Sequence, residues 1–293
     1  MVLQAVDQAI RRITPVMTGW GECHREHRLG SRLPKMWWAL TSQSWVPIPL
    51  LAFVIEHKDG LVLFDAGMDP AVETDPNYIS SPIGRFFLNR LFRFHITPED
   101  ALGQQLSIHG FDPADVQKVV VSHLHWDHIG GIADVPTAEL LVSRDEWQQL
   151  AAKNPDRNWI LKDHIEVPGA KWCPFDFAPT DDPVLAPFGG AYDVMGDGVM
   201  MLVPTPGHTP GSLSMLVRQD GLPPLLFVGD LTFQADLLMK DQVSGTGDAN
   251  VLRSTFAKVR ALKAQLPNLV ILPSHDDKST EALRALWPIA MEH

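Results

Sequence analysis

Val119-Val120-Val121-Ser122-His123-Leu124-His125-Trp126-Asp127-His128-Ile129-Gly130-Gly131 is the stretch on which the reading of this chain turns. The apolar run Val119-Val120-Val121, bounded by polar residues, reads as a buried strand, and Ser122 opens the loop at its end. Four side chains able to ligate a metal stand in that loop within six residues, three imidazoles and one carboxylate. A single ion takes three or four such ligands. Alternation puts His123 and His125 on one side and lets Asp127 and His128 turn toward a neighbouring point, which is a way to build two adjacent metal positions. Solvated surface histidines would not need this spacing, so a metal site is expected.

The same design recurs three times downstream. Met200-Met201-Leu202-Val203 runs into Thr205-Pro206-Gly207-His208-Thr209-Pro210-Gly211, a turn fixed by Pro and Gly whose only strong ligand is His208. Leu225-Leu226-Phe227-Val228-Gly229 delivers Asp230, and Leu269-Val270-Ile271-Leu272-Pro273-Ser274 delivers His275. One histidine after a strand is more often structural than not. Four strand ends that all carry His or Asp make independent accident a poor explanation.

In this order, His-x-His-x-Asp-His, Gly-His, Gly-Asp and a late Ser-His resemble the metallo-β-lactamase superfamily of metallohydrolases. SHLHWDHIGG at 122–131 and TPGHTPGS at 205–212 resemble its N-acyl-homoserine lactone lactonase branch, and the motifs run from about Asp65 to His275. The resemblance implies an α/β fold, a four-layer αβ/βα sandwich. It also implies a dinuclear centre in which His123, His125 and His208 hold one metal, Asp127, His128 and His275 hold the second, and Asp230 bridges them. Three protein ligands per metal plus a shared carboxylate leave an open position for water, and two metals about 3.5–4 Å apart can share a hydroxide that is nucleophilic at neutral pH. Zinc suits these ligands, while iron, cobalt and manganese also accept imidazole and carboxylate. The expected reaction is hydrolytic opening of a lactone ring, of the quorum-quenching type. Asp230 and Asp127 are its catalytic carboxylates, Asp127 passing the proton to the leaving alkoxide although ligation weakens it as an acid. Asp65, at the end of a strand in Phe64-Asp65-Ala66-Gly67, is expected to fix the tautomer of a metal-binding histidine.

One position departs from the branch. A tyrosine commonly lies three residues after the bridging aspartate, where its hydroxyl can meet the substrate; here Phe233 stands there, and it cannot donate a hydrogen bond. Thr232 is a neighbouring hydroxyl, and the two tyrosines, Tyr78 and Tyr192, lie far away in sequence. The departure keeps open a same-fold phosphotriesterase of the methyl-parathion type, or an arylesterase. A diiron redox protein of this fold is disfavoured, because it would carry a carboxylate at the position of His125 and usually an electron-transfer domain. A non-catalytic scaffold would have shed ligands, and all seven are present.

Composition agrees with a compact enzyme. The 293 residues are 45% hydrophobic, enough for a large core, and an α/β chain of this size is expected as one domain over 1–293 with two comparable halves joined near 174–190. Lys and Arg number 24 against 35 Asp and Glu, a net charge of −11. That is a poor balance for binding nucleic acid, which needs basic surface. No apolar run reaches the length of a membrane span, no signal peptide is read at the N-terminus, and two cysteines give no disulfide framework. A cytoplasmic enzyme acting on a small lactone or ester is the expectation.

Residues 83–96 mix Phe86, Phe87, Leu91, Phe92 and Phe94 with Arg85, Arg90 and Arg93. Read as a helical face, this is a core-packed amphipathic helix, a pocket wall or homodimer contact, or a membrane-surface patch. Phe86, Phe87 and Trp37 are candidate substrate contacts with Phe233 and Thr232; Met36-Trp37-Trp38 and Trp45 read as core or pocket. Cys23-His24-Arg25-Glu26-His27 carries ligand types, but no second cluster matches it, so no separate metal is expected there.

A hairpin is expected from 48–56 and 61–65, turned at Asp59-Gly60. Helices are expected to open at Thr97-Pro98 and Asp112-Pro113, and a capping box at Ser143-Arg144-Asp145-Glu146. Strands near 199–205, 212–218 and 224–229, a helix at 249–265, a strand at 269–273 and a final helix from about Ser279 complete the order.

Overall fold

The computed structural model describes residues 8–287. Among these, twelve strands form two sheets. The first contains β1 (Ile10–His24), β2 (Trp45–His57), β3 (Gly60–Phe64), β4 (Phe92–His95), β5 (Val116–Val120), β6 (Glu139–Ser143) and β7 (Lys171–Phe175), in the order β4-β1-β2-β3-β5-β6-β7. The second contains β8 (Tyr192–Asp193), β9 (Met200–Pro204), β10 (Leu213–Val217), β11 (Leu225–Gly229) and β12 (Val270–Pro273), ordered β12-β11-β10-β9-β8. The Pro-, Asp- and Gly-rich stretch leads from β7 in one sheet to β8 in the other.

Successive side chains of a strand point to opposite faces, so a strand covered on both faces reads as a continuous apolar run. β2 and β11 show this directly. Leu51, Phe53 and Ile55 join Leu225 and Phe227 in the core between the sheets. Ala52 and Val54 face the outer core formed with Leu102, Leu106, Ile129 and Ile132. Leu226 and Val228 face Leu252, Phe256, Val259 and Leu262 of the helix Ala249–Gln265. Helix, sheet, sheet, helix is the expected four-layer sandwich. Phe227 lies at its centre, fully buried, with ring centroids 5.0 Å from Phe53 and 5.6 Å from Phe64. Phe227→Ala is expected to destabilise the fold by about 3–5 kcal/mol, read by denaturant unfolding, because the cavity cannot collapse between two sheets.

The hairpin forms with Phe53 opposite Phe64 and His57 opposite Gly60. At three places the structure corrects the sequence expectation. No strand is expected before Ile48, yet β1 is fifteen residues long; it contains Pro15, Gly19 and Gly21 and pairs with β2 across two register shifts. Residues 83–96 are not one helix. Helix Pro82–Leu91 ends where Phe92-Arg93-Phe94-His95 adopts the alternation of an edge strand paired to β1. The last helix begins at Asp277, capped by the Asp276 side chain. No described helix is long and apolar enough to cross a membrane.

Strand direction explains where the chemistry collects. β3 and β5 run parallel in the first sheet. In the second, β11 and β12 are parallel, and β9 shares their direction because both β9 and β11 are antiparallel to β10. The C-terminal ends of β9, β11 and β12 therefore share one edge. The sheets are sewn together there by Leu213 N donating to Ser122 O and Leu51 N to Ser274 O.

Candidate metal centre

All seven sequence-nominated ligands meet at this edge. His123, His125 and His208 form one group, Asp127, His128 and His275 another, and His123, His128 and Asp230 a third between them; within each group the ligand atoms lie within 4.8 Å of one another. Asp230 divides its oxygens between the sides. Oδ2 is 3.4 Å from His208 Nε2, while Oδ1 is 3.2 Å from His128 Nε2 and 3.0 Å from His275 Nε2. Asp127 Oδ2 lies 3.5 Å from His275 Nε2.

The outward nitrogens of four histidines are tied down, which sets what the inward ones can offer. His125 Nε2 donates to Asn158 O at 3.0 Å and His275 Nδ1 to Pro49 O at 2.8 Å. His128 Nδ1 donates to Asp65 Oδ2 at 2.8 Å, and His123 Nδ1 to Ser122 Oγ at 3.0 Å. In a neutral ring the inward nitrogen is then a bare lone pair. His125 Nδ1 lies 2.9 Å from His123 Nε2 and 3.0 Å from His208 Nε2, so lone pairs converge on one point. His128 Nε2 and Asp230 Oδ1 are both buried without a hydrogen bond, though adjacent. Converging lone pairs and orphaned acceptors fit a cation.

The electrostatics separate the two sides. Burial lowers the His123, His125 and His208 pKa values, His123 well below the usual range, His125 to about 4 and His208 to about 3. Burial also opposes charge on His128 and His275. There Asp230 leads the carboxylates that outweigh it, holding His128 well above its ordinary value and His275 at about 10. In return, and against the effect of burial, His128 and His275 pull Asp127 down to about 2 and hold Asp230 well below the usual carboxylate range.

Two buried carboxylates hold the loops. Asp65, in the left-handed region at φ 61°, accepts from Ser122 N at 2.8 Å, Ser122 Oγ at 2.9 Å and Ser274 Oγ at 3.3 Å besides His128. It thus ties residues beside His123 and His275 to one point. Gly229, just before Asp230, has φ 52°, and a Cβ there would sit 2.7 Å from Ser122 Oγ. Glu146 is the second tie. Ser143 Oγ caps its amide, as expected, but the glutamate does not reach back to complete the box. Its carboxylate accepts from Leu124 N at 2.9 Å, Thr209 Oγ1 at 2.7 Å and Gly211 N at 3.1 Å. Burial raises its pKa against these three donors.

A cavity of about 490 Å³ opens over the cluster, with His125, Asp127, His208, Asp230 and His275 in its floor. Phe92, Trp126, Trp159 and Phe233 form its apolar walls, and Lys35, Arg157 and His27 supply polar ones. Of the residues nominated as substrate contacts, Phe233 lies in this wall. Thr232, Phe86, Phe87 and Trp37 do not line it. Thr232 turns its hydroxyl to Gln234 O. Trp37 and Phe86 are 61% and 56% exposed, and Phe87 packs against the Trp38 cluster. His27, Lys35, Arg157 and Trp159 carry no cavity signal in the local sequence; they reach the site from segments distant along the chain.

A two-sheet sandwich with a histidine–aspartate cluster at one edge is the architecture of a metallohydrolase. Residues 46–275 match the metallo-beta-lactamase superfamily, and the chain belongs to it. It is 33% identical over 240 residues to N-acyl homoserine lactonase AttM of Agrobacterium fabrum, covering 79% of this chain and 82% of that protein. In fold it is similar to an N-acyl homoserine lactone hydrolase solved with N-hexanoyl-L-homoserine at its catalytic metal centre (TM-score 0.73, 19% identity, 94% of this chain and 96% of that one). It is also similar to AidC, a dizinc quorum-quenching lactonase (TM-score 0.60, 17% identity, 92% and 90% covered).

Proposed function

We propose that this chain hydrolyses the ester ring of N-acyl homoserine lactones, with two divalent ions, zinc by preference, at the edge of the sandwich. It is a metal-dependent hydrolase, and a small-molecule lactone is its substrate. The observation that supports the reading best is geometric: two inward-facing triads share Asp230 in the floor of an aromatic-walled cavity. Divalent ions bound there supply Lewis acidity, acidifying water and polarising a carbonyl. His123, His125 and His208 would hold one ion and Asp127, His128 and His275 the other, with Asp230 between the two groups. Asp127 Oδ2, ionised at neutral pH, is the station for the proton that the attacking water loses and the leaving alkoxide gains. The aromatic walls take the acyl chain and exclude water from the ring.

The test is proton release in a pH-stat on N-hexanoyl homoserine lactone, with wild type beside His123→Ala and metal content measured for both. Turnover that disappears with His123 supports the reading. A fully metallated wild type with no lactone turnover sinks it, and aryl esters and organophosphates are then the substrates to assay. Asp65→Asn tests the support beneath the ligands: Asn accepts the left-handed backbone, but the charge facing His128 is gone. Metal affinity is expected to fall about 10–100-fold by chelator competition, and an unchanged affinity would show that Asp65 plays no part in holding the metal.

A further inference from the structure

We propose that His27 is a substrate-contacting hydrogen-bond donor of this cavity, set against the carbonyl or leaving oxygen of the bound ester. The assignment rests on the hydrolase reading above. His27 lies in the short helix Arg25–Leu29 that continues β1, and its side chain is a wall of the cavity over the cluster. It is 7% exposed, and its Nδ1 is buried without a hydrogen-bond partner. No hydrogen bond from Nε2 is found among the described residues either. Buried polar atoms are ordinarily paired; His24, three residues earlier, also has a buried Nδ1 without a partner, but its Nε2 pairs with Arg90 O at 2.8 Å and it does not line the cavity.

The surroundings show what could complete His27. Its ring meets Phe233 edge-on at 5.5 Å and 89°, and Phe233 in turn stacks on His275 at 5.4 Å and 20°. His27 is therefore one aromatic ring away from the cluster, near enough for Asp230, Asp127 and His275 to act on it electrostatically. Phe233 provides a flat apolar surface with no donor, and the His27 ring beside it has no hydrogen-bond partner among the described residues. Burial, aided by the Lys35 ammonium, brings the His27 pKa down to about 3, so at neutral pH the ring has one N–H and no charge. Such a donor stabilises an oxygen on which charge develops without being a proton source; the proton itself still travels through Asp127. Tyr78 also has a buried, unpartnered hydroxyl, but it does not line the cavity.

Four variants of the metal-loaded full chain test this: His27→Ala, His27→Gln, Tyr78→Phe, and His27→Ala combined with Phe233→Tyr. With N-hexanoyl homoserine lactone, His27→Ala is expected to lower kcat about 10²–10³-fold, the usual cost of one oxyanion donor, at unchanged metal content. His27→Gln and the Phe233→Tyr combination should each restore part of the loss, and Tyr78→Phe should lose little. A readout independent of turnover uses the wild type alone: the ring nitrogen resonances of His27, followed by NMR, should shift on saturation with N-hexanoyl-homoserine, the ring-opened product. Full kcat in His27→Ala, a loss that tracks metal content, a loss carried by Tyr78→Phe instead, or His27 resonances indifferent to product would each overturn the proposal. A wild type inert toward lactones would instead overturn the hydrolase reading.

Discussion

Stripping the divalent metal with a chelator is expected to abolish lactone hydrolysis, and reloading to restore it with release of protons. The inward nitrogens of His128 and His275 face carboxylates that raise both pKa values, His275 to about 10, so His275 is protonated in the stripped protein at pH 7. Ligation needs the lone pair, so metal uptake should displace protons, at least one per chain from His275, measurable with a pH indicator in weak buffer. The same shifts set the stability of the stripped protein. His275 has a folded pKa above its unfolded value of 6.5, so its contribution is complete below 6.5 and is lost as pH rises toward 10. His125 and His208 have folded values near 4 and 3, so they cost stability as pH falls below 6.5, and Asp127 adds a loss between 3.8 and about 2. Melting of the stripped protein should therefore be highest near neutrality and decline on both sides, with the alkaline decline absent after reloading. Lactone turnover that survives stripping would refute the metal assignment.

Asp230→Ala is the substitution expected to damage the centre most. Its two oxygens reach both triads, and it is the foremost of the charges that hold His128 and His275 protonated. Removing one partner from a buried charged cluster costs about 3–5 kcal/mol, and each 1.36 kcal/mol is about tenfold in rate or affinity. Turnover should fall about 10²–10⁴-fold, with metal content dropping at both positions together. Elemental analysis decides the point: loss confined to one ion would show that Asp230 belongs to one side only.

The cluster is legible in the sequence because every ligand follows an apolar strand, and strand ends that share a direction must share an edge. The order of His123, Asp127, His208, Asp230 and His275 thus carries the geometry with it. β1 is not legible, since Pro15, Gly19 and Gly21 break its pattern and its partner strand begins more than twenty residues after its own end. Phe92-Arg93-Phe94-His95 reads as helix because helical and alternating patterns coincide over four residues. Glu146 looks like a local capping residue, since nothing in Ser143-Arg144-Asp145-Glu146 shows that its carboxylate reaches 22 residues back and more than 60 forward. His27 belongs with these. A histidine nearly a hundred residues ahead of the ligand loop is marked as a cavity wall only by the fold.

Glu146 bears on timing. Its three hydrogen bonds fix the backbone beside His123, His125 and His208 using only groups of the polypeptide, so the entropy of ordering those two loops is lost when the chain folds and not when an ion arrives. An ion then meets a prearranged set of lone pairs, and its binding free energy goes into coordination. Stripping and reloading of metal should then proceed without unfolding, which circular dichroism followed through both steps would check.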